Sequence, residues 1–283
     1  MSITLEHVDY TYNLKTPLEH KALSDVNLNI KDNTITAIVG HTGSGKSTLL
    51  QLFDGLLKPT VGKVTVDNFE LNPNTKNKGL KSLRKNVGIV FQLPENQLFA
   101  ETVLQDVMFG PKNFGYSEEQ AEQQARKWLK RVGIDKELFS RSPFDLSGGQ
   151  MRRVAIAGVL AYEPKMLCLD EPAAGLDPAG KEEILNIFKK YQAEGHGVVL
   201  ISHDMNDVAN FADEVIVMDS GRVLKHDKVK NIFSDPAWLK KHHLDEPEAA
   251  SFVFELKEKG INIETFPLTI SELAEEIVKR MQQ

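Results

Sequence analysis

The amino-acid sequence predicts an α/β protein with a buried parallel sheet, and two observations support this prediction. Short apolar segments without polar alternation occur at residues 34–39, 166–169, 198–201 and 215–218. The last three of these apolar segments are separated by segments in which apolar side chains have helical spacing. One is a helix predicted from Pro178 to about Glu194, and the other is a helix through Val208 and Phe211. Strands that lack a polar face need cover on both sides, which is the arrangement of parallel sheets in α/β proteins.

The first hundred residues are expected to consist largely of strands. Besides the segment 34–39, strands are predicted at residues 3–8, 22–30, 63–66 and 87–91, on the basis of apolar and alternating patterns. A helix is predicted after Ser117, because Ser117 and Gln120 match a capping box and apolar side chains follow at helical spacing up to Gly133.

The last fifty residues have a different character and are expected to form a small helical unit. A helix is predicted at residues 247–259, and Thr269 with Glu272 matches a second capping box before an apolar stripe that includes Leu273 and Ile277. So small a unit cannot stabilise itself, so we expect it to pack on the main domain or on another subunit. The predicted boundaries are residues 1–232 for the main domain and 233–283 for the extension.

Composition describes an ordinary globular chain of 283 residues, with 41% hydrophobic and 26% charged residues. A formal net charge of -6 provides no electrostatic reason to expect a nucleic-acid partner. No window approaches the roughly 20 consecutive apolar residues of a membrane span, and residues 1–6 lack the features of a secretory signal. We therefore expect a cytoplasmic chain, in which Cys168, the single cysteine, has a packing role.

A basic run interrupts this balance of charges. Residues 71–93 contain five basic residues and no acidic one: Lys76, Lys78, Lys81, Arg84 and Lys85. We interpret the run as a solvated, mobile loop, with a face near anionic lipid or a partner as the alternative.

A glycine-rich loop carries the sharpest motif of the sequence. It matches the pattern G-x-x-x-x-G-K-[ST] between a predicted strand and a predicted helix, which is the context that the motif requires. Its backbone N–H groups are expected to hold phosphate oxygens, Lys46 to neutralise the β- and γ-phosphates, and the Ser47 hydroxyl to bind Mg²⁺. The loop comprises Gly40, His41, Thr42, Gly43, Ser44, Gly45, Lys46, Ser47 and Thr48.

A second motif provides two carboxylates at the end of a strand. Asp170 and Glu171 follow the apolar segment 166–169, and a strand end beside the phosphate loop places Asp170 where it can hold Mg²⁺. Because side chains alternate along a strand, Glu171 points elsewhere and is expected to act on an attacking water as general base.

Between these motifs lies Leu146-Ser147-Gly148-Gly149-Gln150, and with this segment the sequence resembles the ATP-binding-cassette (ABC) ATPases. Further motifs of that family occur in order over about residues 1–230. The resemblance implies a RecA-like P-loop core with an antiparallel β subdomain and a helical subdomain at about residues 93–160, followed by a small C-terminal α-rich extension. It also implies ATP as the nucleotide and Mg²⁺ as the ion.

The same resemblance assigns roles to other residues. Gln92, which follows a predicted strand, would sense metal and water, and His203, which follows another, would contact the γ-phosphate. Asp177 is placed with the nucleotide-binding residues by its match to the family's D-loop. Tyr12 resembles the aromatic residue on which adenine stacks, and Tyr10, on the same strand face, remains an alternative.

A second anion site is expected where a helix begins and runs to about Leu160. Its N-terminus cannot reach the phosphates held by the loop of the same chain if both flank one sheet. In the family this segment meets the γ-phosphate of a nucleotide held by a second subunit, so ATP joins a dimer and hydrolysis releases it. The residues concerned are Ser147, Gly148, Gly149 and Gln150.

A narrower resemblance concerns the stretches around these motifs. Residues 91–99, 109–115 and 147–158 are similar to the ATPases of energy-coupling factor (ECF) transporters, and residues 16–19 and 150–153 to their second, A-prime type. This resemblance implies a heterodimer with a second ECF ATPase, a transmembrane coupling protein and a small membrane component that binds a vitamin or another micronutrient. It also implies a peripheral location at the cytoplasmic face of the membrane, with the C-terminal extension contacting the other ATPase.

Two other functions are weighed against this one. An ATPase of a different ABC transporter would have the same motifs, and a non-transport ABC ATPase would act in DNA repair, chromosome structure or translation. Residues 92–146 contain no sustained heptads of the kind found in coiled-coil insertions, which disfavours the non-transport class. The sequence does not identify the transported substrate.

Overall fold

The computed structural model describes residues 1–260, 263 and 265–281, and two β-sheets form the centre of the protein. The strands are β1 (Ile3–Tyr12), β2 (His20–Ile30), β3 (Ile35–Val39), β4 (Val61–Val66), β5 (Phe69–Leu71), β6 (Val87–Val90), β7 (Met166–Asp170), β8 (Gly197–Ile201), β9 (Glu214–Asp219) and β10 (Arg222–Lys228). An antiparallel sheet has the order β2-β1-β4-β5, and the larger sheet has the order β10-β9-β3-β8-β7-β6. All neighbours in the larger sheet are parallel except β10, which pairs antiparallel with β9.

Eleven helices are described along these parts of the chain. They are α1 (Lys46–Phe53), α2 (Leu80–Asn86), α3 (Val103–Asn113), α4 (Glu118–Arg131), α5 (Gly148–Leu160), α6 (Pro178–Ala193), α7 (Met205–Phe211), α8 (Val229–Phe233), α9 (Pro236–Lys241), α10 (Glu248–Glu258) and α11 (Ile270–Met281). Both predicted capping boxes are present: the Ser117 hydroxyl accepts from the Gln120 N–H at 3.2 Å, and the Thr269 hydroxyl from the Glu272 N–H at 3.2 Å.

Helix α1 lies between the two sheets and holds them together. Its side chains Leu49, Leu52 and Phe53 are fully buried in one cluster with Leu5 of the small sheet and Ile38 of the larger sheet. The opposite face of the larger sheet packs against the other helices, where Trp128 of α4 lies 5.6 Å from the ring of Tyr191 of α6. With both faces covered, β3, β6 and β8 are buried along their whole lengths, as predicted for a parallel sheet.

The C-terminal residues form two different kinds of packing. Phe233 and Leu239 are fully buried in a cluster with Ala37 and Val39 of β3, so α8 and α9 belong to the core beside the larger sheet. Helices α10 and α11 have a small cluster of their own around Leu273. The start of α10 contacts the main body, since the Glu248 N–H donates to the Asn206 side chain of α7 at 2.9 Å.

The prediction of a mobile loop in the basic run is wrong. A 3₁₀ turn at Asn77–Gly79 leads into α2, which covers most of the run. Leu80 and Leu83 are buried, and the Arg84 guanidinium donates to the Gly55 carbonyl at 3.2 Å. Two apolar residues three positions apart anchor this seven-residue helix to the core, and so short a pattern is not distinguished from a loop among so many lysines.

Parallel pairing brings the carboxyl ends of several strands to one edge of the larger sheet. In register, Leu169 of β7 pairs with Val90 of β6, and Asp170 pairs with Ile201 of β8. The segments that follow β3, β6, β7 and β8 therefore leave the sheet side by side, which is where ligands bind in open α/β sheets.

Candidate active site

The glycine-rich loop connects the end of β3 to the start of α1, as the motif requires. Gly40, Gly43 and Gly45 have φ angles of 146°, 83° and 100°, a region that favours glycine. A Cβ atom on Gly40 would lie 2.2 Å from the Met218 carbonyl oxygen. Gly45 caps α1 without a side-chain hydrogen bond, so the first N–H groups of the helix are left for an anion.

The side chain of Lys46 lies inside this loop. The residue is 6% exposed, and its Nζ donates to the carbonyl oxygens of Gly40 at 2.7 Å and His41 at 2.9 Å. Burial lowers the pKa of Lys46, while the carboxylates of Glu171 and Asp170 act in the opposite direction. The loop thus contains a single cation that is held by neutral carbonyls, which phosphate oxygens are able to replace as partners.

Ser47 and Asp170, whose side-chain oxygens are predicted to bind Mg²⁺, lie within hydrogen-bonding distance of each other. Burial raises the pKa of Asp170 at the end of β7, and a hydrogen bond with Ser47 opposes that shift. A hydroxyl and a carboxylate suit Mg²⁺, which usually takes its remaining ligands from water and substrate phosphates. Within the described residues no group of three or more His, Cys, Asp or Glu side chains is arranged to hold a metal alone, so this donor pair fits an ion that arrives with a nucleotide.

The structure brings Glu171, Gln92 and His203 together beside that pair. Nε2 of Gln92 donates to Oε2 of Glu171 at 3.0 Å, and Nε2 of His203 lies 2.5 Å from Oε1 of Glu171. Glu171 has a φ of 50°, a strained conformation for a glutamate, and its N–H donates to the Ile201 carbonyl at 3.1 Å. Two side chains that are distant from Glu171 in the sequence, those of Gln92 and His203, therefore share its carboxylate.

Tyr12 is the tyrosine that contacts the loop region. Its hydroxyl lies 3.1 Å from the Thr48 hydroxyl in the first turn of α1. The ring of Tyr10 meets that of Tyr12 edge-to-face at a centroid distance of 4.7 Å, and it packs on the core between the sheets. Contact with the loop thus distinguishes Tyr12 from Tyr10, although both lie on β1.

The other predicted nucleotide contacts lie at the starts of two helices. Ser147 and Gln150 form a reciprocal capping box at α5, with distances of 3.3 and 3.0 Å. Gly148 and Gly149 have no atom within 4 Å of where a Cβ would stand, so this helix start is open. The Asp177 carboxylate caps α6 by accepting from the Gly180 N–H at 3.1 Å.

Sequence reasoning missed three charged contacts near these residues. Lys181 pairs with Asp204, next to His203, at 2.5 Å. His41 of the loop lies 2.8 Å from Asp219 at the end of β9. Arg152 of α5 is buried and pairs with Glu95 at 3.0 Å. The one available sequence signal was the placement of Arg152 four and eight residues before Ile156 and Leu160, on the apolar face of its helix.

Known proteins are similar to this chain over its whole length. Residues 23–174 match the ABC transporter family. The chain is 53% identical to the energy-coupling factor transporter ATP-binding protein EcfA2 of Lactobacillus johnsonii over all of its length and 98% of the relative. It is 52% identical to the EcfA2 protein of Enterococcus faecalis, with the same coverage of both chains.

Solved structures show the same fold. CbiO1 of Clostridium perfringens, described as part of the ABC transporter complex cbiONQ, has a TM-score of 0.72 and 42% identity over 84% of this chain and 93% of its own. The ATP-binding cassette MJ0796, solved as a dimer in a post-hydrolysis state with ADP and Pi, has a TM-score of 0.72 and 34% identity over 80% and 98%. None of the helices in the described ranges is long and apolar enough to cross a membrane. Matches of this extent show that the chain belongs to the ABC transporter family and, within it, to the ATP-binding proteins of energy-coupling factor transporters.

Proposed function

We propose that this chain is the ATP-hydrolysing subunit of an ECF-type importer, which dimerises on ATP to drive uptake of a vitamin or another micronutrient. One observation carries the catalytic part of this proposal. Gln92, Glu171 and His203 share hydrogen bonds at the sheet edge where Lys46 and Asp170 also lie. A base, a cation and a metal-binding carboxylate at one edge are the parts that phosphoryl transfer to water requires.

ATP is bound through the loop and the adjoining tyrosine. The N–H groups of residues 40–48 and the Lys46 amine bind the β- and γ-phosphates, and the ring of Tyr12 stacks on adenine. Lys46 then exchanges its two carbonyl partners for phosphate oxygens. Ser47 and Asp170, with Gln92, would hold Mg²⁺, which neutralises developing charge on the phosphates when bound.

Glu171 acts as the general base for the attacking water. In the structure both of its carboxylate oxygens are engaged, one by Gln92 and one by His203. When His203 contacts the γ-phosphate it leaves Glu171, and the released oxygen accepts a proton from water.

The catalytic site is completed by a second ATPase. Ser147, Gly148, Gly149 and Gln150 present an open helix start, and Asp177 lies on the exposed turn before α6. We assign them to the γ-phosphate side of a nucleotide held by the partner ATPase, and the similarity to EcfA2 proteins supports a second ECF ATPase as that partner. Helix α11 supplies a further contact, because Ile270 and Val278 on it are 64% and 52% exposed.

A groove beside α3 is the docking surface for the transmembrane coupling protein. Phe99 and Phe109 are 59% and 49% exposed and meet edge-to-face with ring centroids 4.8 Å apart. Phe114 and Tyr162 complete an apolar lining, and the segment 92–99 leads from this groove to Gln92. Exposed apolar surface of this kind marks a protein contact. In this proposal the chain lies peripherally at the cytoplasmic face of the membrane, in a complex that also contains a small membrane substrate-binding component and no nucleic acid.

Purification of the tagged chain from its own membranes in mild detergent tests this function. We expect a second ATPase, a transmembrane protein and a small membrane protein in near-stoichiometric amounts. Substitution of Phe99 and Phe109 by serine should release the membrane proteins, whereas serine at the exposed Phe144, 63% exposed outside the groove, should not. Recovery of the chain alone, or with ribosomes or DNA, would refute the transport function.

A further inference from the structure

Helix α5 buries one charged side chain on its apolar face. Arg152 is 5% exposed, and it lies one and two turns before Ile156 and Leu160, which are fully buried. Burial of a guanidinium is costly unless its donors find acceptors with good geometry. The partners of Arg152 therefore show what this position holds together.

Arg152 makes three hydrogen bonds to two other segments. Its Nε donates to Oε2 of Glu95 at 3.1 Å, and Nη2 donates to Oε1 of the same carboxylate at 3.0 Å. Nη1 donates to the Ala174 carbonyl at 2.7 Å. Burial acts to raise the pKa of Glu95, but the hydrogen bonds and charge of Arg152 outweigh it and lower that pKa. The pair is thus a charged, two-pronged contact of the kind that fixes orientation.

Each of the three joined segments has a separate part in the proposed function. Glu95 lies in the 3₁₀ turn Pro94–Gln97, between Gln92 and the apolar groove that includes Phe99. Ala174 lies in the turn that follows Glu171, and its N–H donates to the Glu171 carbonyl at 3.1 Å. Arg152 itself lies in the second turn of the helix that Ser147 caps.

We propose that Arg152 is a positioning residue that couples occupation of the groove beside α3 to closure of the ATP site. A displacement of the 3₁₀ turn has to carry the start of α5 and the turn after Glu171 with it, or break buried charged hydrogen bonds. The planar guanidinium holds both partners at fixed angles, which a lysine ammonium does not do. This inference rests on the proposed function, because it assigns regulation to the same site.

Two substitutions of Arg152 and one matched control test the link. Arg152→Met removes the charge, and Arg152→Lys keeps it but reaches only one of the two partners, so the lysine variant serves if the methionine variant fails to fold. Arg153→Met is the control, because Arg153 is the next residue of the helix and pairs with Glu183 at the surface at 2.8 Å. All variants are measured in the purified complex with the membrane proteins.

Hydrogen–deuterium exchange of the complex with Mg-ATP and vanadate is the decisive readout. In the wild type we expect slower exchange both at residues 147–151 and at residues 94–99. In the Arg152 variants protection at 94–99 should disappear while protection at 147–151 remains, a separation that general destabilisation does not produce. We also expect kcat to fall by up to roughly 10²-fold, as small misplacements of catalytic groups do, with KM for ATP little changed.

The outcomes separate this inference from the proposed function. A wild-type complex that releases no phosphate from Mg-ATP refutes the proposed function, and this inference with it. The inference alone is refuted by a different result, in which the wild-type complex hydrolyses ATP. In that result the Arg152→Lys complex keeps its protection from exchange at residues 94–99, and its kcat equals that of the Arg153→Met control.

Discussion

Replacement of Glu171 by glutamine removes the proposed base and keeps its shape. Oε2 of Glu171 accepts from Gln92 at 3.0 Å, and a glutamine oxygen accepts the same hydrogen bond. The amide nitrogen takes the place of Oε1, which lies 2.5 Å from Nε2 of His203, and donates to a neutral imidazole. Because both contacts have replacements of equal size, we expect the fold of the site to survive.

The size of the expected effect follows from the role that is lost. A positioned general base contributes roughly 10² to 10⁴ in rate, which equals about 3–5 kcal/mol of activation free energy. We expect kcat to fall by that factor. Affinity for ATP should be kept or increased, since the substitution removes a negative charge beside the anionic γ-phosphate.

Phosphate release and sedimentation together provide the assay. With Mg-ATP, the Glu171→Gln complex should release little phosphate and accumulate a closed pair of ATPases. Glu183→Gln is the matched control, because that carboxylate is 62% exposed and pairs with Arg153 on the surface. Turnover of Glu171→Gln within about threefold of the control would refute the base assignment, since the loss of activation free energy would then be less than about 1 kcal/mol.

Three further predictions concern the loop, the extension and the core. The pKa of His41 is raised above 6.5, first by its hydrogen bond with the Thr42 carbonyl and then by the Asp219 carboxylate. The contact between protonated His41 and Asp219 therefore stabilises the fold fully below pH 6.5, and this stabilisation is lost as pH rises through the pKa of His41 in the folded state. Asp219→Asn should therefore lower Tm more at pH 6 than at pH 9, and an equal loss at both values would count against this. Val278→Asp on α11 should weaken pairing of the two ATPases in sedimentation while leaving Tm unchanged, because Val278 is 52% exposed; undiminished pairing contradicts it. Cys168 is fully buried, which raises its thiol pKa well above the ordinary value, so alkylation should proceed only with unfolding, and rapid labelling of the native protein would be inconsistent with that burial.

Local patterns in the sequence predicted most of the elements that carry the site. The strand before Gly40, the strand that ends at Asp170 and the helix that begins after Ser147 all lie within a few residues of their predicted bounds. These signals succeed because strand burial, helix capping and the phosphate-loop pattern depend on neighbours in the chain. The basic run shows the limit, since α2 depends on contacts of Leu80 and Leu83 with distant residues.

Contacts between distant segments could not be predicted in this way. The 3.0 Å hydrogen bond between Gln92 and Glu171 joins residues 79 positions apart. Arg152 and Glu95 are 57 positions apart, and no spacing rule relates them. Tyr12 and Tyr10 are equivalent in a strand pattern, and only the 3.1 Å contact with Thr48 separates them.

The sequence by itself therefore determined the α/β class, the order of the motifs, the phosphate loop and the family to which they belong. Each of these depends on residues close together in the chain, where backbone geometry and side-chain chemistry act over a few positions. The tertiary structure alone decided which side chains share the carboxylate of Glu171, and which three segments meet at the guanidinium of Arg152. The order of strands in the larger sheet sets those meetings, because parallel pairing brings the ends of distant strands to one edge.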